Sequence, residues 1–385
     1  MKVLLLQKMA GISGSERYFL SILPELRKRG VDAAFLVVQH PANAEKNRVF
    51  IAGLRAASIP VHIMDSRLSI SPWLIWRLAR FIKHHQFDVI QSNLIHADVW
   101  GACVKRFFMP ALRLLSVKHG YSESYQTRHG LNPAYLRKDL MSLLTRWAGG
   151  YTDRVVCISS ALESFLVKGN LIAASKVMAI PYGFDFSNAP SMVELGGVRF
   201  GTPQIVVAGR AVRVKQHHLL IRVLPELVRE FPNMSVVMVG AGPLLEELKR
   251  STDALGLSVN VHWEGFRDNM HDYIRDSDLM VIPSAAEGFG LVVLEAWYHG
   301  KPVVAFDVPA INEIIESGVD GELVEPFDTR QLLSSLRNLL AAPERLRVLG
   351  AAGKEKQIDK YGLALMTERT LTVMQQLTVA SITGR

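Results

Sequence analysis

Two glutamates separated by seven residues enclose a pair of glycines in the string Glu287-Gly-Phe-Gly-Leu-Val-Val-Leu-Glu295. An apolar run, Leu279-Met-Val-Ile, precedes this stretch and another, Val303-Val-Ala, follows it, so it reads as strand, turn, helix and strand. Gly288 and Gly290 stand where the helix opens, so backbone N–H groups can approach a ligand with no Cβ in the way. Such a turn is a natural anion seat. Leu291, Leu294, Glu295 and Tyr298 share one helical face, which makes Glu295 the lone charge of an apolar helix. A buried carboxylate costs several kcal/mol unless it is paired, so Glu295 is expected to look into a polar cleft. At roughly 1.5 Å per residue the two carboxylates stand on the order of 10 Å apart, with the helix N-terminus between them. A ligand with hydroxyls at both ends and phosphate in the middle fits, and a nucleotide-sugar has that shape. The plainer reading stays open here: Glu287 complements the helix N-terminus and Glu295 is a core-edge carboxylate tied to an arginine.

Other chemistry-bearing residues are placed by their positions at strand ends. Arg210 and Lys215 follow the strand that begins at Gln204, on the same carboxyl edge as Glu287. Two cations there could neutralise a diphosphate and stabilise it as a leaving group, or simply be solvated loop charges. His119 lies just past the strand Leu112–Val117, where parallel sheets place ligand sites, although a lone histidine is as readily structural. Gly11 and Gly14 lie in a loop that lacks the G-x-G-x-x-G spacing of a dinucleotide fold. Gly240-Ala-Gly242 lacks it too, since Leu244 and Leu245 stand near where the third glycine belongs. Asp276-Ser-Asp278 resembles a D-x-D metal clamp, but it runs from a helix end straight into a core strand and is read as capping and surface charge.

The elements that must carry these residues alternate along the whole chain. Val3–Leu6, a helix from Glu16 to Arg29 closed by Gly30, and Ala33–Val38 begin a parallel sheet. Ser71–Gln86 reads as a helix with one apolar stripe and a second face of Trp73, Trp76, Arg77, Arg80 and His84. That face is either solvated and basic or suited to an anionic membrane surface. Ser187–Pro203 loses periodicity and collects Pro190, Gly196, Gly197, Gly201 and Pro203, which marks a linker. A second alternating block starts at Gln204. The expectation is an α/β chain of two doubly wound, Rossmann-like parallel-sheet domains.

Composition narrows the function classes. With 385 residues and 49% hydrophobic content, two large cores can form. No run of about 20 uncharged apolar residues is present, against an ordinary membrane span. The apolar start is cut by Gln7 and Lys8 and reads as a first strand rather than a signal peptide. Cys103 and Cys157 are too few and too far apart for a zinc cluster or a disulfide framework, so a reducing, cytoplasmic compartment is expected. The formal net charge of +8 suits phosphate-rich substrates or anionic lipid. Nucleic acid is not an expected partner, since no basic run with interleaved aromatics appears.

Taken in order, Gly209-Arg210…Lys215, Gly240-Ala-Gly-Pro243, Gly265-Phe-Arg267, Glu287-Gly-Phe-Gly…Glu295 and Gly300-Lys-Pro-Val-Val-Ala resemble glycosyltransferase family 4, also described as glycosyl transferases group 1. Gly14-Ser-Glu-Arg17, Phe87-Asp-Val-Ile90, His119 and Pro181-Tyr-Gly-Phe-Asp185 match more loosely. Ser13, Gln216 and Tyr182 depart from the family pattern, Tyr182 standing at a usual Asn position. The resemblance implies the GT-B fold, two Rossmann-like domains facing a cleft: 1–186 on the acceptor side, with the helix 360–385 packing back on it, and 187–359 binding the donor. It implies retaining, metal-independent transfer with no cofactor. The donor would be a UDP-, GDP- or ADP-sugar, UDP favoured, and the acceptor a glycan or lipid-linked hydroxyl. That chemistry belongs to bacterial cell-surface glycan assembly at the inner face of the cytoplasmic membrane.

By the same resemblance Arg210 and Lys215 meet the diphosphate, Glu295 the ribose, and backbone groups of Phe289, Gly290 and Leu291 the phosphates. Phe266 and Arg267 flank the base, the Gly14 loop closes over the phosphates, and Glu287 and His119 contact the reacting sugar. A sugar-nucleotide epimerase of related fold and a non-catalytic donor-binding subunit are the alternatives. A nicotinamide oxidoreductase is the weakest, for want of the glycine fingerprint.

Overall fold

Residues 1–9, 14–186 and 198–379 are described by a computed structural model. Most of the glycine loop before Gly14, most of the linker expected at 187–203, and the last residues of the expected C-terminal helix lie outside that range. The chain divides into two compact units. One comprises Met1–Ser122, Asn132–Phe184 and the chain from Leu363 onward, the other Glu123–Leu131 and Asp185–Gly362.

The first unit is built on strands β1 (Lys2–Met9), β2 (Asp32–Gln39), β3 (Val61–Asp65), β4 (Val89–Asn93), β5 (Arg113–Lys118), β6 (Arg154–Cys157) and β7 (Val177–Ala179). They form one parallel sheet in the order β3-β2-β1-β4-β5-β6-β7. Helices α1 (Gly14–Lys28), α2 (Ala44–Ala56), α3 (Pro72–His85), α4 (Leu94–Phe107), α6 (Leu140–Tyr151) and α7 (Ser160–Lys168) make the crossovers, and α5 (Glu123–His129) is grouped with the second unit. Strands covered on both faces need near-continuous apolar runs, and Val3, Leu4, Leu5 and Leu6 of β1 are all buried. Local chemistry sets the helix ends. Ser71 accepts a hydrogen bond from the Leu74 N–H and Pro72 takes the first helical position of α3. Helix α4 is buried nearly all round, Ala97, Val99, Trp100, Ala102 and Val104 included, and so shows no amphipathic stripe.

The second unit carries β8 (Gln204–Ala208), β9 (Ser235–Val239), β10 (Val261–Gly265), β11 (Leu279–Ile282), β12 (Val303–Phe306) and β13 (Glu322–Val324), all parallel, in the order β10-β9-β8-β11-β12-β13. Its helices are α8 (His217–Glu230), α9 (Leu245–Ala254), α10 (Met270–Arg275), α11 (Leu291–Tyr298), α12 (Thr329–Leu340) and α13 (Pro343–Lys360). The last helix, α14 (Leu363–Val379), belongs to the first unit. There the Arg29 guanidinium donates to the Ala364 carbonyl at 3.3 Å and the Gly183 N–H points at the Met366 sulfur at 3.2 Å. Among the described residues no helix is long and apolar enough to cross a membrane.

Helix α11 is pinned from below by its tryptophan. Trp297 is fully buried, its indole N–H donates to the Asp320 carbonyl at 3.0 Å, and Lys356 of α13 lies 5.5 Å from the ring centroid while ion-pairing with Asp320 at 2.6 Å. Gly353 leaves room for the ring: a Cβ there would come within 2.3 Å of the indole. Gly353→Ala therefore overpacks this contact and is expected to destabilise the protein by about 1–3 kcal/mol, read as a lowered urea midpoint. An unchanged midpoint would mean that α13 and α11 can slide apart freely.

Candidate functional site

In the second sheet the chain winds outward from β8 in one direction and from β11 in the other, so strand order reverses between these two neighbours. Loops leaving the carboxyl ends of strands at such a point diverge and open a crevice. The loop after β8 carries Arg210 and Lys215, and the loop after β11 carries Glu287 through Gly290. The two loops are tied by backbone, Ala285 N–H donating to the Val214 carbonyl at 2.8 Å. Side chains join them too, the Lys215 ammonium meeting the Glu287 carboxylate at 2.6 Å. The cation expected at a diphosphate and the acid expected at a sugar thus pair with each other, which the sequence did not indicate. Arg210 is exposed beside them.

The shape of the β8 loop is fixed by the two glycines of Gly240-Ala-Gly242. A Cβ at Gly240 would fall 1.9 Å from the Gly209 carbonyl oxygen, and one at Gly242 2.4 Å from that of Ala211. Backbone hydrogen bonds from Gly209 to Val239 and from Ala211 to Ala241 complete this contact. The motif is a packing surface that presents Arg210, and a dinucleotide turn has no place in it.

After β11, Gly290 takes a left-handed conformation at φ 98° and caps α11, where a Cβ would meet the Ile311 side chain at 2.5 Å. Gly290 has no side chain to cap α11, so the first-turn N–H groups form a candidate anion seat. Phe289 is buried and Leu291 starts the helix half-buried. Glu295 is 0% exposed and is buried together with Val293, Leu294, Ala296 and Trp297 of α11.

The turn after β10 is open. Phe266 is 74% exposed and Arg267 pairs with Glu264 at 2.8 Å, an acid that also accepts from the Tyr273 hydroxyl at 2.7 Å. Asp276 and Asp278 are structural. Asp276 accepts from Arg275 and from the Val198 N–H, and Asp278 from Arg199 and the Gln204 N–H, together holding the start of β8.

In the first unit strand order reverses between β1 and β4, and the neighbouring strand ends carry a buried polar cluster. Asp98 accepts from Ser92 and Ser116 at 2.6 Å each and ion-pairs with Lys118, which fixes the end of β5. The next residue is His119. Its imidazole is enclosed by Tyr18, Phe19 and Tyr182 and hydrogen-bonds to the Tyr182 hydroxyl and, at 3.2 Å, to Asn93. Burial holds its pKa down to about 3, with Asp98 opposing, so the ring is neutral at physiological pH. Gln91 and Asn93 of β4 and Tyr18 of α1 were missed from the sequence because a single residue inside a strand or helix carries no periodic signal of its own. Tyr182 had one, its departure from the family's Asn. Gly14 opens α1, and the loop before it lies outside the described residues.

Two family models match the chain, Glycosyltransferase Family 4 over residues 12–188 and Glycosyl transferases group 1 over residues 197–356. A GDP-mannose-dependent alpha-(1-6)-phosphatidylinositol monomannoside mannosyltransferase of Mycolicibacterium smegmatis is 32% identical over 310 residues, 75% of this chain and 77% of that one. The chain belongs to glycosyltransferase family 4. The enzyme is also similar to a lipopolysaccharide core biosynthesis glycosyltransferase of Rhizobium meliloti, 25% identical over 371 residues that span 94% of this chain and 95% of that one. Among solved structures, Anabaena HepE in complex with UDP superposes with a TM-score of 0.81 at 22% identity, covering 98% of this chain and 100% of the other. The enzyme thus has the GT-B fold, with two Rossmann-like parallel-sheet domains.

The Lys215–Glu287 pair generates a prediction independent of substrate. Both side chains are largely buried, at 20% and 12% exposed, so Lys215→Met leaves a carboxylate without its cation. The expected cost is about 1–3 kcal/mol in urea unfolding, part of it recovered in Lys215→Met/Glu287→Gln. A double-mutant cycle with no coupling would show that the pair contributes nothing.

Proposed function

We propose that the enzyme is a retaining, metal-independent glycosyltransferase that moves a sugar from a nucleoside diphosphate donor to a hydroxyl of a glycan or lipid-linked acceptor. The observation that carries this reading is the Lys215–Glu287 pair at the switch point of the second sheet, beside the uncapped N-terminus of α11. A diphosphate placed there meets Lys215, Arg210 and the N–H groups around Gly290 and Leu291, and Lys215 transfers its charge from the carboxylate to the phosphate. Glu287 is then free to accept hydrogen bonds from sugar hydroxyls. Phe266 offers an exposed ring for the base, with Arg267 beside it. Glu295 takes the ribose hydroxyls, and His119 is assigned to a hydroxyl of the sugar.

In the reaction the bond from the anomeric carbon to the phosphate oxygen breaks, and its electron pair leaves with the diphosphate. The acceptor oxygen forms its bond on the same face, and its proton passes to the departing phosphate oxygen. Arg210, Lys215 and the helix N-terminus stabilise the leaving charge, the part a metal ion plays in other transferases. A UDP-sugar is the favoured donor, supported by the likeness to HepE, which was solved with UDP. Bacterial cell-surface glycan assembly is the setting, supported by the likeness to a lipopolysaccharide core transferase.

Contact with the inner face of the cytoplasmic membrane is part of the same proposal. On α3, Trp73 and Trp76 stack at 4.7 Å and are 64% and 39% exposed, and Arg80 lies 5.5 Å from the Trp76 ring. No acidic residue occurs between Asp65 and Asp88, a stretch that holds Arg67, Arg77, Arg80 and Lys83.

Thermal-shift measurement with UDP, GDP and ADP is expected to stabilise the protein with UDP most of all, and Lys215→Ala to weaken that binding about tenfold or more. Glu287→Ala is expected to abolish transfer while keeping the melting temperature within a few degrees, and NMR of the product to show the donor's anomeric configuration. Full turnover by Glu287→Ala removes that residue from the mechanism, and an inverted product removes retention. Sedimentation with vesicles containing phosphatidylglycerol at low salt tests the membrane face: the wild type should pellet and Trp73→Ala/Trp76→Ala should stay in solution.

A further inference from the structure

The protonation of His119 can be read from its neighbours. Asn93 decides it. The Asn93 side-chain nitrogen faces two backbone carbonyls, those of Leu6 at 3.5 Å and Gln91 at 3.3 Å. A reversed amide would set its oxygen against both carbonyl oxygens, so the nitrogen belongs on that side. Its oxygen is therefore the atom turned to the imidazole, where it also accepts from Gln91 Nε2 at 3.3 Å. An amide oxygen has no proton to give, so His119 Nε2 donates across the 3.2 Å contact and carries the ring proton. In a neutral ring Nδ1 is then an acceptor, and the Tyr182 hydroxyl donates to it.

Tyr182 is itself held in place. It is buried, packs on Tyr18 and Phe184 with centroids 5.8 and 5.4 Å away, and precedes Gly183, whose N–H reaches Met366 of α14. Tyr18 in turn hydrogen-bonds to Gln91 and to Thr370 of α14. The cluster is thus tied to β1, β4, β5 and α14 at once.

We propose that Tyr182 is a positioning residue: by donating to Nδ1 its hydroxyl locks His119 as the neutral, Nε2-protonated tautomer, and that Nε2–H is what the imidazole offers to a hydroxyl of the bound sugar. The sugar oxygen takes over the 3.2 Å contact that Nε2 makes with Asn93. His119 then acts as a hydrogen-bond donor and not as a base. The role in transfer rests on the glycosyltransferase reading above, whereas the tautomer does not.

The test uses the full chain with ¹⁵N-labelled histidine and no ligand, His119 signals being assigned by their loss in His119→Asn. The wild type is expected to show Nε2 protonated and Nδ1 bare, without titration over about pH 5 to 8. Tyr182→Phe, which keeps the ring and removes the donor, is expected to show mixed tautomers or titration in that range. Its kcat should fall about tenfold at near-constant donor KM. A wild-type His119 protonated at Nδ1, or one that titrates near its ordinary value, overturns the proposal, as does Tyr182→Phe with unchanged signals or unchanged kcat. Should Tyr182→Phe not fold, the wild-type tautomer decides alone. A wild type that transfers no sugar yet shows the expected tautomer sinks the transferase reading and the role of the donated proton, leaving the positioning of His119 intact.

Discussion

Parallel strands joined by right-handed crossovers impose one constraint on this chain: where the winding direction reverses, neighbouring strands send their loops apart. In the second unit the reversal falls between β8 and β11, and the loops it separates hold every charged residue assigned to the donor phosphates. The sheet supplies the position, and the Lys215–Glu287 contact of 2.6 Å supplies the closure that keeps two diverging loops from splaying. Loss of the Trp297 anchor would tilt α11, and with it the N–H groups that face the same crevice. Fold and site are in this sense one mechanical object, in which the buried face of α11 holds the exposed end.

The Lys215–Glu287 pair also sets the local charge. An ammonium and a carboxylate in contact present a dipole in place of a net charge. On the proposed reading a diphosphate competes with one carboxylate for Lys215, and the carboxylate so released turns to the sugar hydroxyls, so that binding at one end of the donor prepares the contact at the other.

Much of this was legible in the sequence. The alternation of apolar runs with glycine turns gave the doubly wound α/β class, and the placement of Gly290, Glu287 and Lys215 at strand ends followed from it. What escaped has physical reasons. Helix α4 was passed over because it is buried on most sides and therefore shows no stripe, and it begins at Leu94 with a φ of 66° that no capping motif announces. Helix α2 and strand β3, between Ala44 and Asp65, were likewise not picked out, β3 being short and half-exposed with no alternation to read. That Glu295 is completely buried could not be read from spacing, because burial is a property of the surrounding elements. The hydrogen bonds of His119 to Asn93 and to Tyr182 join residues 26 and 63 positions apart, as no local pattern can.

The backbone contact between Gly240 and Gly209 has a consequence for how such a protein can diverge. Two loops whose main chains touch at van der Waals limits accept neither an added side chain nor an inserted residue, so the floor beneath Arg210 is closed to drift. The turn at Phe266 and Arg267 has open space around Gly265 and an exposed ring at its tip, and substitutions there disturb no packed backbone. On the proposed reading, change of donor base is therefore open to single substitutions at the rim, while the backbone beneath the phosphate seat admits none: a lock whose wards can be recut without touching the barrel.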